Sequence, residues 1–387
     1  MKYLDFPIDE MDRRIQNARV LMAREGLSGL MVTAAANHFY FTGIRKLANW
    51  ATFTRTVFVF IPLEKAPVLY VQDFDGPECR SRSSVRDVRT YSNVLGGPVK
   101  GVAEILQELG MAKGKVGCEL GYEQRLDMAY NDFEAVKSQL PDAAFVDASD
   151  LLWELRMVKL SAEIECLRCV NDIASRALDR VFGEVCEGMT EKEVERKLVA
   201  IMAEEGAELP GFVIVISGPG NYQRISARPS EKRLEKGDLV WIDAGANYNG
   251  YWTDFCRAGV VGGPTDEQIR LQKIISDVTM KGCAAVRPGL SVSDLYDICA
   301  GELIAQGLPW SFECGRAGHG VGLQLTEPPS IARADNTILR PGMVITLEPG
   351  YINELGCFDV EENILVTESG AEILSSAART LHTIPTV

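Results

Sequence analysis

Two segments in the second half of the chain have apolar residues alternating with acids around a turn, as β-hairpins do. In the first, "LVWIDAGANYNGYWTDFC", Asp243 lies on one arm and Asp254 on the other. A four-residue loop at 247–250 places the two acids opposite each other. A two-residue Asn249-Gly250 turn makes them diagonal neighbours on the same face. Two carboxylates this close both stay ionised only where a cation lies between them.

The second segment, "MVITLEPGYINELGCFDVEENILV", has Glu348 on one arm and both Glu361 and Glu362 on the other. A loop at 353–356 places Glu348 opposite Glu361, whereas a three-residue loop would favour Glu362. Apolar and polar residues alternate along the second arm, with Phe358, Val360 and Ile364 on one face and Asp359, Glu361 and Asn363 on the other. Because side chains alternate between the two faces of a strand, Glu361 is the favoured inward acid.

A scarce histidine accompanies these acids. The chain has 3 histidines, and His319 lies between two glycines in "GRAGHGVGLQLTEPP". Glycines at these positions would let backbone or substrate approach closely. Four carboxylates and one imidazole suit two divalent ions, which we expect to be Mn, Co, Fe or Zn. For any one acid, a solvated strand face is the simpler explanation, but the whole set favours a metal site.

The pattern of the chain indicates two domains, 1–150 and 151–387. A length of 387 residues suits two domains of ordinary size. Helical and strand-like segments alternate up to about residue 150, as in a small α/β domain, and they begin with a helix at 9–25. A charged helical stretch follows at 150–183. Glycine-broken strands and two further helices then predict an α+β domain with an antiparallel sheet.

Charge and cysteine content limit the partners and the compartment. A net charge of −14 argues against nucleic acid and anionic membranes as partners. The 10 cysteines are scattered, and Cys166 and Cys169 lie in a helical pattern, which favours reduced thiols over disulfides or zinc. There is no signal-peptide-like start and no apolar run long enough to span a membrane. We therefore expect a cytoplasmic protein.

The motifs together resemble the pita-bread family, which contains methionine aminopeptidase, prolidase, aminopeptidase P and creatinase. The matching segments are "DAGANYNGYWTD", "GHGVGL…EPP", "PGMVITLEPG" and "VEENILVTESG". "NHFYFTG" and "LRMVKLSAEIE" resemble the two-domain creatinase–prolidase branch. The resemblance implies an α+β C-terminal pita-bread fold, a curved antiparallel sheet with helices, preceded by a smaller α/β creatinase-like domain. It also implies a homodimer in which the N-terminal domains lie near the opposite clefts.

The resemblance further implies a dinuclear metallohydrolase that cleaves a C–N bond with a metal-bound hydroxide. By the family pattern, Asp254 and Glu361 would bridge the two ions, and Glu348 would also serve catalysis. The metal ligands implied by the resemblance are Asp243, Asp254, His319, Glu348 and Glu361.

The chain departs from the family at four positions. Ser226, Thr326 and Gly315 stand where family peptidases carry further histidines, and Asp359 stands where an arginine is common. Ser226 and Thr326 remain catalytic candidates because they form hydrogen bonds, but neither carries positive charge. We therefore expect a small-molecule or short-peptide substrate and weak activity on ordinary Xaa-Pro peptides.

Several nearby residues are candidates for substrate contact. Arg224, Arg228 and Arg316 could bind a substrate carboxylate. Tyr222 and Cys314 could bind substrate or donate protons. His38 either reaches a partner subunit's site or is an ordinary buried histidine.

Two other functional classes stay open. One is a metal-dependent lyase acting on a small acid such as dimethylsulfoniopropionate, which needs a metal and a base but no amide handling. The other is a non-catalytic binding protein on a peptidase scaffold. The complete ligand set disfavours the binding protein, because a site without catalysis is free to lose its ligands.

Overall fold

The computed structural model describes residues 4–45, 55–93, 95–310 and 315–387. The chain divides into two compact units, Met1–Arg156 and Met157–Val387. The helix Ser149–Met157 therefore belongs almost entirely to the first unit, where Leu151, Leu152 and Leu155 are buried. The sequence placed the division near residue 150, before this helix, because its charged residues resemble the helical stretch that follows.

The first unit contains a six-stranded mixed sheet with helices. Strands β1–β6 are Leu27–Val32, Phe58–Pro62, Val68–Gln72, Asp87–Tyr91, Gly114–Cys118 and Ala143–Asp147. Helices α1–α6 are Ile8–Glu25, Ala35–Thr42, Gly76–Arg82, Val99–Glu108, Tyr130–Gln139 and Ser149–Met157. The strand order is β4-β3-β2-β1-β5-β6, in which β2 pairs antiparallel with β1 and β3 and the other pairs are parallel. Gly26 ends α1 in the left-handed conformation, at a φ of +66°.

The described residues of the second unit form four longer helices and three sheets. Helices α7–α10 are Ser161–Glu184, Glu191–Glu205, Asp266–Ala285 and Val292–Ala305. Strands β7–β12 are Leu209–Ser217, Leu239–Tyr248, Tyr251–Trp252, Phe255–Val261, His319–Gly320 and Glu327–Ser330. Strands β13–β18 are Val344–Leu347, Gly350–Asn353, Gly356–Asp359, Glu362–Val366, Ala371–Ile373 and His382–Ile384.

The sheets of this unit are antiparallel with one exception. One has the order β18-β10-β8-β7, with β9 also paired to β8, and its β10–β18 pair is parallel. The second has the order β12-β11-β13-β16-β17, and β14 pairs with β15 alone. A capping box begins α8, where Thr190 accepts the backbone N–H of Glu193 and the Glu193 carboxylate accepts that of Thr190. No helix among the described residues combines the length and the apolar character of a membrane span.

Alternation along β8 decides which side of the sheet carries acids. Val240 and Ile242 belong to an apolar cluster with residues of α7 and α8. Leu239 and Trp241 belong to a second cluster with residues of α9 and α10. Because successive strand residues face opposite sides, Asp243 lies on the same face as Leu239 and Trp241.

Candidate metal centre

The first acid-bearing hairpin closes through a two-residue turn. Asn249 and Gly250 both have positive φ, +47° and +84°, as the central residues of a type I′ turn do. In this register Cys256 lies opposite Asp243, so Asp254 is its diagonal neighbour on the same face. The four-residue loop that would place the two acids directly opposite each other is wrong. The type I′ turn prevails because its twist matches that of the flanking strands.

The second hairpin has the register expected from its sequence. The β14–β15 ladder ends at the pair Asn353–Gly356, and the β13–β16 ladder continues in the same register. Carried through the gap between these ladders, this register places Glu348 opposite Glu361. Two separate hairpins therefore each bring a pair of acids to the same region of the second unit.

Glu362 points away from this acid group. Its Oε1 accepts hydrogen bonds from Arg257 Nη2 at 2.7 Å and Arg379 Nε at 2.8 Å. The hydroxyl of Ser375 donates to its Oε2. These partners satisfy the Glu362 carboxylate, whereas the neighbouring Glu361 faces the other acids.

The glycines around His319 are required by neighbouring backbone. His319 and Gly320 form the short β11, which lies between β12 and β13. A Cβ at Gly318, where φ is +149°, would overlap the carbonyl group of Thr346, and a Cβ at Gly320 would overlap that of Pro328. The close approach expected at these glycines is thus made by the backbones of adjacent strands. This packing places the His319 imidazole among the acids.

One hydrogen bond fixes the tautomer of His319. Its Nδ1–H donates to the carbonyl oxygen of Gly320 at 2.9 Å, which leaves Nε2 with its lone pair. Nε2 lies 3.4 Å from Asp254 Oδ2 and 4.0 Å from Glu348 Oε1. An imidazole held in this way presents Nε2 as a metal ligand.

Ligand atoms of three residues converge. One atom each from Asp254, His319 and Glu361 lie within 4.8 Å of one another, and all three residues are buried. Within the described parts of the chain, Asp243 Oδ1, Asp254 Oδ1 and Glu361 Oε1 are buried without a hydrogen-bond partner. Buried carboxylate oxygens without donors are costly unless a cation compensates them. The donor set, rich in oxygen with one imidazole nitrogen, therefore fits divalent transition metals.

The electrostatics of the group are those of a site built around positive charge. Desolvation, followed by repulsion from Asp254 and Glu348, raises the pKa of Asp243 and of Glu361 well above the ordinary carboxylate range. Desolvation also raises the pKa of Glu348. Burial opposes protonation of His319, but its contact with Asp254 and the charge of Glu348 outweigh burial and raise its pKa. Divalent cations would remove this repulsion.

The other candidate residues from the sequence differ in their exposure and in their distance from the acids. Arg316 lies close enough for its charge to act on both His319 and Glu348. Arg224, Ser226 and Arg228 are exposed, and Arg224 Nη1 donates to Asn221 at 3.4 Å. Thr326 is half-buried and precedes Glu327, Gly315 is exposed, and Cys314 lies outside the described residues.

Two candidates occupy structural positions. Tyr222 is 3% exposed within the apolar cluster of α9 and α10, and its hydroxyl accepts the backbone N–H of Leu239 at 3.1 Å. Burial raises the pKa of Tyr222 to about 12. Tyr222 therefore packs in the core, and the substrate-binding role suggested by its position in the sequence is not supported by this placement. His38 is buried within α2 of the first unit.

A further buried acid, Asp359, lies near the candidate ligands although the sequence pattern does not predict it as one of them. Asp359, the last residue of β15, is 1% exposed, and its Oδ1 has no hydrogen-bond partner among the described residues. In the sequence, its alternation with Glu361 indicated that the two acids share one face of the strand. Its significance depended on residues far away in sequence, including Cys256, whose thiol is hydrogen-bonded to it.

Comparison with known proteins identifies the family. Residues 165–368 match metallopeptidase family M24, and residues 14–158 match the creatinase/prolidase N-terminal domain. The chain belongs to metallopeptidase family M24. An Xaa-Pro dipeptidase from Pyrococcus furiosus is 31% identical over 96% of this chain and 100% of the relative.

Solved structures of two similar proteins have the same fold. The structure of an Xaa-Pro dipeptidase from Bacillus anthracis superimposes with a TM-score of 0.86 at 26% identity, over 97% of this chain and 100% of that one. A prolidase from Pyrococcus furiosus gives a TM-score of 0.79 at 29% identity, over 93% and 99%. The expected two-domain fold and metallohydrolase class are thereby confirmed.

Proposed function

We propose that this M24 protein hydrolyses a C–N bond in a compact amide or short peptide, with two divalent ions held by Asp243, Asp254, His319, Glu348 and Glu361. The observation that carries the proposal is the group of buried, unpartnered carboxylate oxygens around His319 Nε2. Relatives named Xaa-Pro dipeptidase support a short substrate with an amide bond. Asp254 and Glu361 lie together beside His319, so these three residues would hold metal in common.

The ions would supply Lewis acidity at the substrate carbonyl. They would also lower the pKa of a water molecule to a value near neutral pH. Glu348 would move protons. Its side chain is 18% exposed, more than that of His319 or Asp254, which supports contact with water and substrate.

Orientation of the substrate would depend on arginine and hydroxyl groups. Arg316, whose charge acts on His319 and Glu348, is the candidate to hold a substrate carboxylate. Arg224 and Arg228 would assist only if substrate extends toward the exposed segment that carries Ser226. Thr326 and Ser226 offer hydrogen bonds but no positive charge for a tetrahedral oxyanion. This difference favours substrates that place a smaller demand on oxyanion stabilisation than ordinary Xaa-Pro peptides.

A lyase acting on a small acid such as dimethylsulfoniopropionate is the second candidate. The feature that favours it is that Ser226, Thr326 and Gly315 stand where the family resemblance implies histidines, since elimination needs a base but no oxyanion donors. Glu348 would then be the base.

A side-by-side assay separates these functions. Protein loaded with Mn²⁺ would be tested on Xaa-Pro dipeptides, longer Xaa-Pro peptides, creatine, small cyclic substrates such as ectoine, and dimethylsulfoniopropionate. We expect a compact amide to reach a kcat/KM of about 10⁴ M⁻¹s⁻¹ or more. Losing one oxyanion donor typically costs about 100- to 1,000-fold in rate, so Xaa-Pro peptides should be much slower.

The controls are a Glu348→Gln variant, which should be inactive, and an exposed Asp142→Asn variant, which should match the wild type. Turnover of Xaa-Pro peptides at the ordinary enzyme rate would contradict the small-substrate proposal. Elimination from dimethylsulfoniopropionate alone would establish the lyase. Tight substrate binding without turnover would indicate a binding protein.

We further propose a homodimer that works in the cytoplasm. The 9 cysteines that the structure describes are all free thiols, which suits a reducing compartment. Sedimentation at micromolar concentration tests the dimer, and a fully active monomer would contradict it.

A further inference from the structure

Asp359 lies on the same face of its strand as Glu361, the face that carries the proposed metal ligand. The β14–β15 and β13–β16 ladders share one register, so alternation continues from Asp359 through Glu361 to Asn363. The amide nitrogen of Asn363 donates to the backbone oxygen of Asp254 at 2.7 Å, which shows where this face points. β15 itself packs against β8, which carries Asp243, and against β10, which begins directly after Asp254.

The surroundings of Asp359 are mainly acidic. The charges of Glu348 and Asp254 act on its carboxylate, and its own charge acts on Asp243 and Glu361. A hydrogen bond with the thiol of Cys256 opposes these charges and acts to lower the pKa of Asp359. Its Oδ1 is buried and has no partner within the described residues.

Arg257, a cation whose charge acts on Asp359, is already fully engaged. Arginine has five N–H donors. Those of Arg257 bind the backbone oxygens of Cys256, Glu361 and Ala377, the last of them twice, and the carboxylate of Glu362. Its charge acts on Asp359, but no N–H remains to compensate the unpartnered oxygen.

We propose that Asp359 is a further acidic group of the metal centre, whose negative charge beside Asp243 strengthens the binding of divalent ions. The inference rests on the proposed function, because it assumes that the five ligands hold cations. A carboxylate close to a pair of divalent ions in a poorly solvated interior attracts them strongly. An arginine at the same position would repel the ions.

The test is metal affinity in the full-length protein. Metal would be removed with a chelator, and Mn²⁺ would then be titrated against a fluorescent competing chelator. Asp359→Asn keeps the size and an oxygen acceptor for Cys256 but removes the charge. We expect Mn²⁺ affinity to fall by about tenfold or more, within the usual range for residues that support metal ligands. Asp359→Arg should weaken binding further.

Thermal stability separates this role from a purely structural one. Without metal, Asp359→Asn should be at least as stable as the wild type, because it removes a poorly compensated buried acid. The rise in Tm on adding Mn²⁺ should be smaller, because that rise follows affinity. A structural role predicts the reverse, with lower stability without metal and an unchanged response to Mn²⁺. A variant that fails to fold would therefore also overturn the proposal.

The matched control is Glu354→Gln, an exposed acid in the turn of the same hairpin, which should bind Mn²⁺ like the wild type. Equal affinity of wild type and Asp359→Asn would overturn the role of Asp359 alone. Failure of the wild type itself to bind Mn²⁺ would overturn the proposed metal centre.

Discussion

Arg257 and Glu362 form an ion pair closed to water, with 2.7 Å between Nη2 and Oε1 and both side chains 0% exposed. Nη1 of the same guanidinium donates to the backbone oxygen of Glu361 at 2.8 Å. The ion pair therefore holds the Glu362 side chain in the protein interior. The same arginine fixes the backbone of Glu361, whose side chain faces the candidate metal centre.

Removing this arginine should destabilise the protein strongly. Arg257→Met leaves Glu362 buried with Arg379 as its remaining cation, and breaking a buried pair typically costs about 3–5 kcal/mol. Urea denaturation without metal measures the change. Arg270→Met is the control, because Arg270 is 54% exposed and pairs with Glu267 on the surface of α9, where such pairs contribute at most about 1 kcal/mol. Similar effects of the two substitutions would contradict the importance of the buried pair.

Glycine at position 318 should be essential for seating His319. Gly318→Ala places a methyl group against the backbone of Thr346, and such overpacking typically costs about 1–3 kcal/mol. Because the strain moves β11, Mn²⁺ affinity should fall as well. Gly301→Ala is the control, since a Cβ there meets nothing within 4 Å and lies in α10, where alanine should stabilise by about 0.5–1 kcal/mol. Denaturation and metal titration would measure both variants, and an unaffected Gly318→Ala would contradict this account.

Much of the geometry of the candidate site could be predicted because the two hairpins are local. The alternation around Glu361 predicted its face, since a shift of one residue would have turned Glu361 to the apolar face and Val360 toward the acids. The first hairpin left two turns possible, and the structure has the shorter one, for which Asn249-Gly250 is a strong local signal. Motifs spread along the chain predicted the family and the two-domain fold, and both are confirmed.

Long-range packing accounts for what the sequence did not predict. Tyr222 looked available beside the exposed arginines, but its hydroxyl serves the backbone of Leu239 in the core. Lys159 and Glu327 form a buried ion pair at 3.3 Å across 168 positions of sequence, which no local pattern indicates. The importance of Asp359 likewise depended on neighbours brought to it by other strands.

Metal content should depend on Asp254. We expect two Mn²⁺ or Co²⁺ ions per chain after loading and desalting, measured by elemental analysis. Asp254→Ala should abolish loading, because without a carboxylate between them the two cations repel each other. Asp142→Ala, at an exposed position of the first unit, should load like the wild type. Less than one ion per wild-type chain would contradict the dinuclear site.

The acids of the centre should make the metal-free protein less stable as the pH rises. Desolvation raises the pKa of Asp243, Glu348 and Glu361 in the folded state, whereas unfolded carboxylates titrate near pH 4. Between these values the folded state binds more protons than the unfolded state, so stability falls with rising pH. The cost is absent below about pH 4 and reaches its full size above the raised pKa values. Because the three acids interact, they should titrate as a set.

Urea denaturation of the metal-free protein from pH 4 to pH 8 measures this effect. Asp243→Asn removes one such acid, so its stability should increase relative to the wild type as the pH rises, by about 1.4 kcal/mol per unit of pKa shift removed. The exposed control Asp142→Asn should show a constant difference. With Mn²⁺ bound, the wild type should instead become more stable relative to Asp243→Asn as the pH rises. Cations favour the ionised acids, and protons compete with metal less at higher pH. A metal-free difference between wild type and Asp243→Asn that does not change with pH would show that these carboxylates carry no excess protons, and it would contradict a closely packed, desolvated acid group.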